Sequence, residues 1–180
     1  MIVTVGAPQP GGATVLAADD AGMTALLEAL PTVTRGRIKY PLVLPRHSAF
    51  HTPLMARMQL DLEAAPTIPP FAPPTIPLVD GAGRLWPAGD TATLGALRQY
   101  TIREQVLTPY LFGRSVEAAI EALDPEVLVL LGPGSSLGGA IGQTLARMRW
   151  RGVTDKATFA AVQASGRPAL LVSWDCLATM

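Results

Sequence analysis

One cysteine, Cys176, is all the thiol the 180 residues hold. A lone cysteine cannot close an intrachain disulfide or share a metal with a second thiol, so disulfide scaffolds and cysteine-based metal sites are both excluded. Charge is equally sparse. Fourteen basic and fourteen acidic side chains cancel, and together they make up only 16% of the chain. With no net field to draw it to nucleic acid or to an anionic membrane, neither is expected as a partner. Long apolar runs are missing as well: none approaches the ~20 residues a membrane span needs, and the opening Met1-Ile-Val-Thr-Val-Gly6 has no basic n-region. A cytoplasmic chain is the expectation.

What is plentiful is apolar. Apolar residues make up 49% of the sequence, and its mean hydropathy is positive, at +0.31. A surface this lean in charge implies that some apolar area meets a partner. The length suits one ordinary domain, or a core with a small appended subdomain.

Along the chain, Met1 to Val5 and Ala13 to Ala17 read as strands around a turn-rich break. Asp19 and Asp20 stand where helix caps belong, ahead of a helix over Ala21 to Leu30 that Pro31 stops. Ile38 to Leu44 is strand-like, and this strand, strand, helix, strand order reads as a small split-βαβ unit. Thr52 to Ala64 is the next helix, with a proline tolerated in its first turn. Ala65 to Pro77 carries six prolines and must be extended. Ile76 to Val79 is a short strand ended by an Asp80-Gly-Ala-Gly83 turn. Helices are expected over Thr91 to Val106, Gly113 to Leu123 and Gly138 to Arg149. Glu126 to Leu131 reads as a buried strand and Ala169 to Ser173 as a late one.

Only two histidines are available, His47 and His51, in Arg46-His-Ser-Ala-Phe-His-Thr-Pro-Leu-Met55. A histidine between a strand end and a helix start suits proton transfer, because the scaffold fixes the imidazole while solvent still reaches it. The i, i+4 pair would suit zinc only on a helix, yet Pro53 places the helix start near His51, serine replaces the glutamate base of zincins, and no third ligand is evident. No metal is therefore assigned. Gly134-Ser-Ser136-Leu-Gly138 matches the G-x-S-x-G nucleophile elbow. Both histidines precede it in the chain, opposite to the order in α/β-hydrolases. The same turn could bind an anion through backbone N–H groups or simply let a helix pack closely on a strand.

Four segments together resemble one family. Ser48-Ala-Phe-His51-Thr-Pro-Leu-Met55 is similar to the A-F-H-S-x-L-M segment bearing the catalytic histidine of malonyl-CoA:acyl-carrier-protein transacylases and polyketide-synthase acyltransferase domains. Gln9-Pro-Gly-Gly-Ala-Thr-Val-Leu-Ala17 resembles that family's S-P-G-Q strand, and Arg103-Glu-Gln105-Val-Leu-Thr-Pro109 resembles its R-x-Q-L-x-x-P stretch. Gly132-Pro-Gly-Ser-Ser-Leu137 resembles its closing G-P-G turn. The matches run in family order over residues 1 to about 150.

The resemblance implies an α/β fold: a ferredoxin-like α+β small subdomain over 1–44, then, over 45–180, the C-terminal segment of an α/β-hydrolase-like core. It implies transfer of a malonyl or related acyl group from coenzyme A to acyl carrier protein, with no cofactor. His51 would be the general base, and the backbone carbonyl of Gln105 would hold its other ring nitrogen. The G-H-S-x-G elbow, the malonyl-gripping arginine and the G-Q-G segment of the family are not among the 180 residues. The nucleophile is thus expected from a missing N-terminal half or from self-association. An autonomous serine hydrolase using Ser136 and His51, or a non-catalytic homologue that binds carrier protein, are the alternatives. Trp174 and Asp175 are assigned no role.

Overall fold

The computed structural model describes residues 1–4, 14–36, 38–45, 47–65, 68–131 and 137–173. Two compact units share the chain. The first comprises Met1–Ile76 and Trp86–Tyr110, and the second Pro77–Leu85 and Leu111–Met180. The first unit thus takes in all of the 1–44 segment together with the histidine segment. The architecture is mixed α/β with small sheets, so the coarse class matches expectation.

In the first unit, β1 (Ile2–Thr4) pairs antiparallel with β2 (Leu16–Ala18), Ile2 opposite Ala18. Asp19 then caps α1 (Asp20–Ala29), its carboxylate accepting from the Gly22 N–H at 2.9 Å and from the amino terminus. Gly22 is required here by close approach: a Cβ on it would lie 2.8 Å from the Met1 carbonyl oxygen. The helix ends before Pro31, and its apolar side chains are only partly covered, with Leu27 46% and Leu30 41% exposed.

A second antiparallel pair, β3 (Val33–Arg35) and β4 (Ile38–Tyr40), turns at Gly36, whose φ is +60°. β3 was not expected. β4 stops at Tyr40, short of the expected Leu44, because Pro41 has no N–H to donate to a ladder. The two pairs form separate two-stranded sheets.

Beyond them lie a 3-10 turn (Pro53–Met55) and α2 (Ala56–Ala64). The described part of the proline-rich run, 68–77, holds no helix or strand, as its composition dictates. β5 (Leu78–Val79) and β6 (Leu85–Trp86) follow, β6 being unexpected.

Helix was expected continuously over Thr91 to Val106, and the structure departs from that twice. Asp90 accepts from the Ala92 N–H at 2.8 Å and the Thr93 hydroxyl at 2.9 Å, which holds 90–93 in a turn and delays α3 to Leu94–Gln99. A π-helical turn, Tyr100–Glu104, then separates α3 from α4 (Gln105–Leu107). Tyr100, Ile102 and Val106 are buried along this stretch, which anchors it.

In the second unit, Asp80 makes the expected turn, its carboxylate accepting from the N–H groups of Ala82 and Arg84 at 2.9 Å each. α5 (Phe112–Leu123), β7 (Leu128–Leu130), α6 (Gly138–Met148), α7 (Lys156–Gln163) and β8 (Leu170–Val172) follow. β7 and β8 run parallel, Leu128 opposite Leu170, so the chain between them must cross over, and α6 and α7 make that crossover. Ile120, Leu130, Ile141, Leu145, Trp150, Val153, Ala169 and Leu170 form the core.

Only one face of β7 is buried. Leu130 is 9% exposed, whereas Val129 and Leu131 are 56% and 76% exposed, so the strand expected to be buried is half-buried. Among the described residues this sheet has two strands, and Leu130 and Leu170 belong to the cluster with Ile120, Ile141 and Leu145 of the helices. α7, also unexpected, starts on a reciprocal cap: Asp155 accepts from the Thr158 N–H, and the Thr158 hydroxyl receives the Asp155 N–H. Among the described residues, no helix is long and apolar enough to cross a membrane.

Candidate functional site

The site is built where one helix ends and another begins. Thr108 precedes Pro109, and a residue before proline is pushed out of helical backbone, so α4 stops at Leu107 with Thr108 extended (φ −119°, ψ 149°). The last carbonyls of a helix have no intrahelical partner. Thr108 takes one of them, its N–H and hydroxyl both donating to the Glu104 oxygen at 2.9 and 2.7 Å. His51 takes the next two. Its backbone N–H donates to the Val106 oxygen at 2.9 Å, and its ring Nδ1 lies 2.5 Å from the Gln105 oxygen.

The other half of the frame is the start of the 3-10 turn. Thr52 has extended backbone, its Oγ1 accepts from the Leu54 N–H at 3.2 Å, and Pro53 sits at the first helical position, where its missing N–H costs nothing. The same hydroxyl donates to the Ala49 carbonyl at 2.7 Å, and Thr52 has no exposed surface. The residue just before this cap is His51, whose φ is +64°. A non-glycine residue in that region carries roughly 1–3 kcal/mol of backbone strain, retained only where its surroundings over-determine it. Here the Thr52 cap on one side and the Val106 carbonyl on the other do so.

The ring is half-buried. A carbonyl oxygen can only accept, so the short contact places the proton on Nδ1 and leaves Nε2 as the basic nitrogen. Two aromatic rings flank the imidazole: Tyr110, with centroids 5.5 Å apart and planes at 39°, and Phe50, at 6.5 Å and 54°. Both rings are partly in solvent, 36% and 44% exposed.

The structure therefore brings together the two residues singled out in the sequence, His51 and Gln105. The Gln105 contribution is main-chain, since its side-chain amide donates instead to the Thr101 carbonyl at 2.7 Å. Arg103, of the same motif, lies 3.9 Å from the Glu63 carboxylate in an exposed pairing of little energetic weight. His47 is exposed, and residues 47–49 hold no helix, so the two imidazoles do not share a helical face. Among the described residues, no group of three or more histidine, cysteine or acidic side chains could hold a metal ion. Ser135, Ser136, the Gly132–Gly134 turn, the Gln9–Ala13 segment, Trp174, Asp175 and Cys176 lie outside the described residues.

Thr52, Phe50 and Tyr110 were not singled out in advance. The Thr-Pro pair following a histidine carried a readable signal, a cap and its first-turn proline. The approach of Tyr110 carried none, because it depends on a contact between segments 59 residues apart.

Within the second unit there is also a shallow groove of about 730 Å³, lined among others by Glu126, Trp150, Arg151, Arg167 and Leu171. Arg151 lies over the Trp150 ring at 4.7 Å and donates to the Glu126 carbonyl at 2.9 Å. It contains neither His51 nor Gln105. Comparison with protein-family models, with curated proteins and with solved structures finds no match to this chain.

Proposed function

We propose that this chain carries the histidine-bearing part of an acyltransferase that moves a malonyl or related acyl group from coenzyme A to acyl carrier protein, the hydroxyl nucleophile coming from another polypeptide segment. The observation that carries this reading is the His51 imidazole, half-buried and hydrogen-bonded at Nδ1 to the Gln105 carbonyl at 2.5 Å. A base of this kind needs one nitrogen pinned and the other basic and reachable, and a main-chain carbonyl can do the pinning that a carboxylate does in serine hydrolase triads.

In the proposed chemistry Nε2 takes the proton of a serine hydroxyl as its oxygen attacks the thioester carbonyl. The imidazolium then returns that proton to the coenzyme A sulfur as the carbon–sulfur bond breaks, leaving an acyl ester. In the second half the carrier's pantetheine thiol loses its proton to Nε2 and attacks the ester. The serine oxygen leaves with that proton. The substrates supply every bond made and broken, so no cofactor is needed. The oxyanion donors, like the serine, would come from the other segment.

The fold that accompanies this reading is a ferredoxin-like subdomain over 1–44 and the C-terminal part of an α/β-hydrolase-like core after it. The parallel β7–β8 pair with its helical crossover supports the second part of it, while β1 to β4 supply the strands and helix of the first as two separate antiparallel pairs.

The test combines the purified chain with a segment bearing a G-H-S-x-G elbow, radiolabelled malonyl-CoA and holo acyl carrier protein. Label should reach the carrier only when both polypeptides are present. His51→Asn tolerates the left-handed backbone and keeps an N–H for the carbonyl but is no base, so it should cut transfer by about 10²–10⁴-fold. Full transfer by that variant would sink the proposal. Fluorophosphonate labelling of Ser136 in the chain alone would instead favour an autonomous hydrolase, and retention of carrier protein without turnover would favour a docking role.

A further inference from the structure

We infer that Tyr110 is a positioning residue for His51, its ring holding the imidazole plane and so setting where Nε2 points. The inference rests on the reading of His51 as the proton carrier. A single hydrogen bond at Nδ1 does not define a ring plane. Carbonyl oxygens accept over a broad range of directions, and the χ2 torsion of histidine has broad wells, so the ring could swing by tens of degrees while keeping Gln105 as partner. Something else must close that freedom if Nε2 is to meet a hydroxyl in one geometry.

Among the described residues two rings are near enough to do so, and they are not equivalent. Phe50 is the preceding residue, so some proximity to His51 follows from the chain itself, and its centroid lies 6.5 Å away. Tyr110 arrives from 59 residues further on, and its centroid is closer, at 5.5 Å with the planes tilted by 39°, well inside the range of favourable aromatic contact.

The path that delivers it is short and stiff. Thr108 is extended, Pro109 fixes its own φ, and Tyr110 follows, four residues beyond Val106 and five beyond Gln105, whose carbonyls bind His51. The helix end and the segment that leaves it therefore hold the imidazole twice, through the Gln105 oxygen at one atom and through the tilted Tyr110 ring beside it. Because the Tyr110 contact is made by its ring, phenylalanine should replace tyrosine and leucine should not.

The experiment uses the whole chain labelled with ¹⁵N and reads the ring nitrogens of His51 through its carbon-bound ring protons by long-range ¹H–¹⁵N correlation, with exposed His47 as the internal reference. In the native chain His51 should show one neutral tautomer, proton on Nδ1, and His47 an averaged one. Tyr110→Leu should move the His51 ring signals toward those of His47, and Tyr110→Phe should leave them in place. Circular dichroism and the resolved signals of Trp86 report whether each variant is folded. If Tyr110→Leu is unfolded, Tyr110→Phe and Tyr110→Met decide, since a folded methionine variant with native His51 signals overturns the inference.

In the reconstituted transfer reaction Tyr110→Leu should lower kcat by about tenfold with KM unchanged, as expected for a misdirected base. Unaltered His51 signals and kcat in a folded Tyr110→Leu chain would overturn the inference while leaving acyl transfer standing. Conversely, loss of the single tautomer in a system that transfers no acyl group would support Tyr110 as the positioning residue and remove the acyl-transfer reading.

Discussion

The Nδ1 atom of His51 meets the main-chain oxygen of Gln105 at 2.5 Å, so the partner of the imidazole is a peptide group and not a side chain. That has a direct genetic consequence. Gln105→Ala removes an amide bonded to Thr101 but leaves the carbonyl in place, and alanine favours the helix that carries it. The His51 tautomer, read by ¹⁵N chemical shifts, should be unchanged. A Gln105→Ala chain in which His51 loses its single tautomer would show that the side chain matters after all.

Thr52 holds the opposite side of the imidazole segment, and its hydroxyl both caps the 3-10 turn and donates to Ala49. Thr52→Val keeps the shape and removes both bonds in a fully buried setting. It should cost about 1–3 kcal/mol of stability in urea denaturation, the range for a buried group left without its hydrogen bond. Serine, which keeps the oxygen, should recover most of that loss. Equal midpoints for valine and threonine would refute the cap.

In the second unit the energetics are those of ordinary packing. Leu145 on α6 has no exposed surface and belongs to the cluster with Ile120, Leu130, Trp150 and Val153. Leu145→Ala should cost about 2–5 kcal/mol, the sum of lost transfer energy and a cavity. Denaturation followed by the fluorescence of Trp150 in a chain lacking the other tryptophans checks it, and a change below 1 kcal/mol would mean that the site collapses around the smaller side chain.

Local chemistry made much of this molecule legible, and its failures are physical. A helix start was readable where a capping side chain precedes an apolar run, as at Asp19, because the cap acts within three residues. Strand ends were not: Ile38 to Leu44 looks continuous in hydropathy, but Pro41 removes a donor and only Ile38–Tyr40 pair. α7 was missed although Asp155 and Thr158 cap it reciprocally, since no strong apolar stripe drew attention to it. The π-helical turn over Tyr100–Glu104 has no periodicity signature in so short a stretch. At the site, the pairing of His51 with Gln105 was indicated by likeness to a family pattern. The flanking rings depend on contacts that periodicity does not encode.

The cap of α7 also yields a prediction about acid. The Asp155 carboxyl is held below its ordinary value of 3.8, chiefly by the hydrogen bond from the Thr158 N–H and then by the Thr158 hydroxyl, both of which favour the carboxylate. A group whose folded pKa is depressed releases its proton more readily in the folded state. Its stabilising effect is therefore complete above the unfolded value, near pH 4, and is lost as pH falls through the lower folded value. Asp155→Asn keeps a competent cap without a titrating group. Thermal unfolding should thus show the native chain losing stability below about pH 4 relative to Asp155→Asn, with the difference between the two constant from pH 5 to 7. Asp19 and Asp90 are depressed in the same direction, Asp19 by the amino terminus and the Gly22 N–H, Asp90 by the Thr93 side chain and the Ala92 N–H, so some acid loss must survive in the variant. Parallel curves for the two chains down to pH 2 would show that the Thr158 hydrogen bonds do not discriminate between carboxylate and acid.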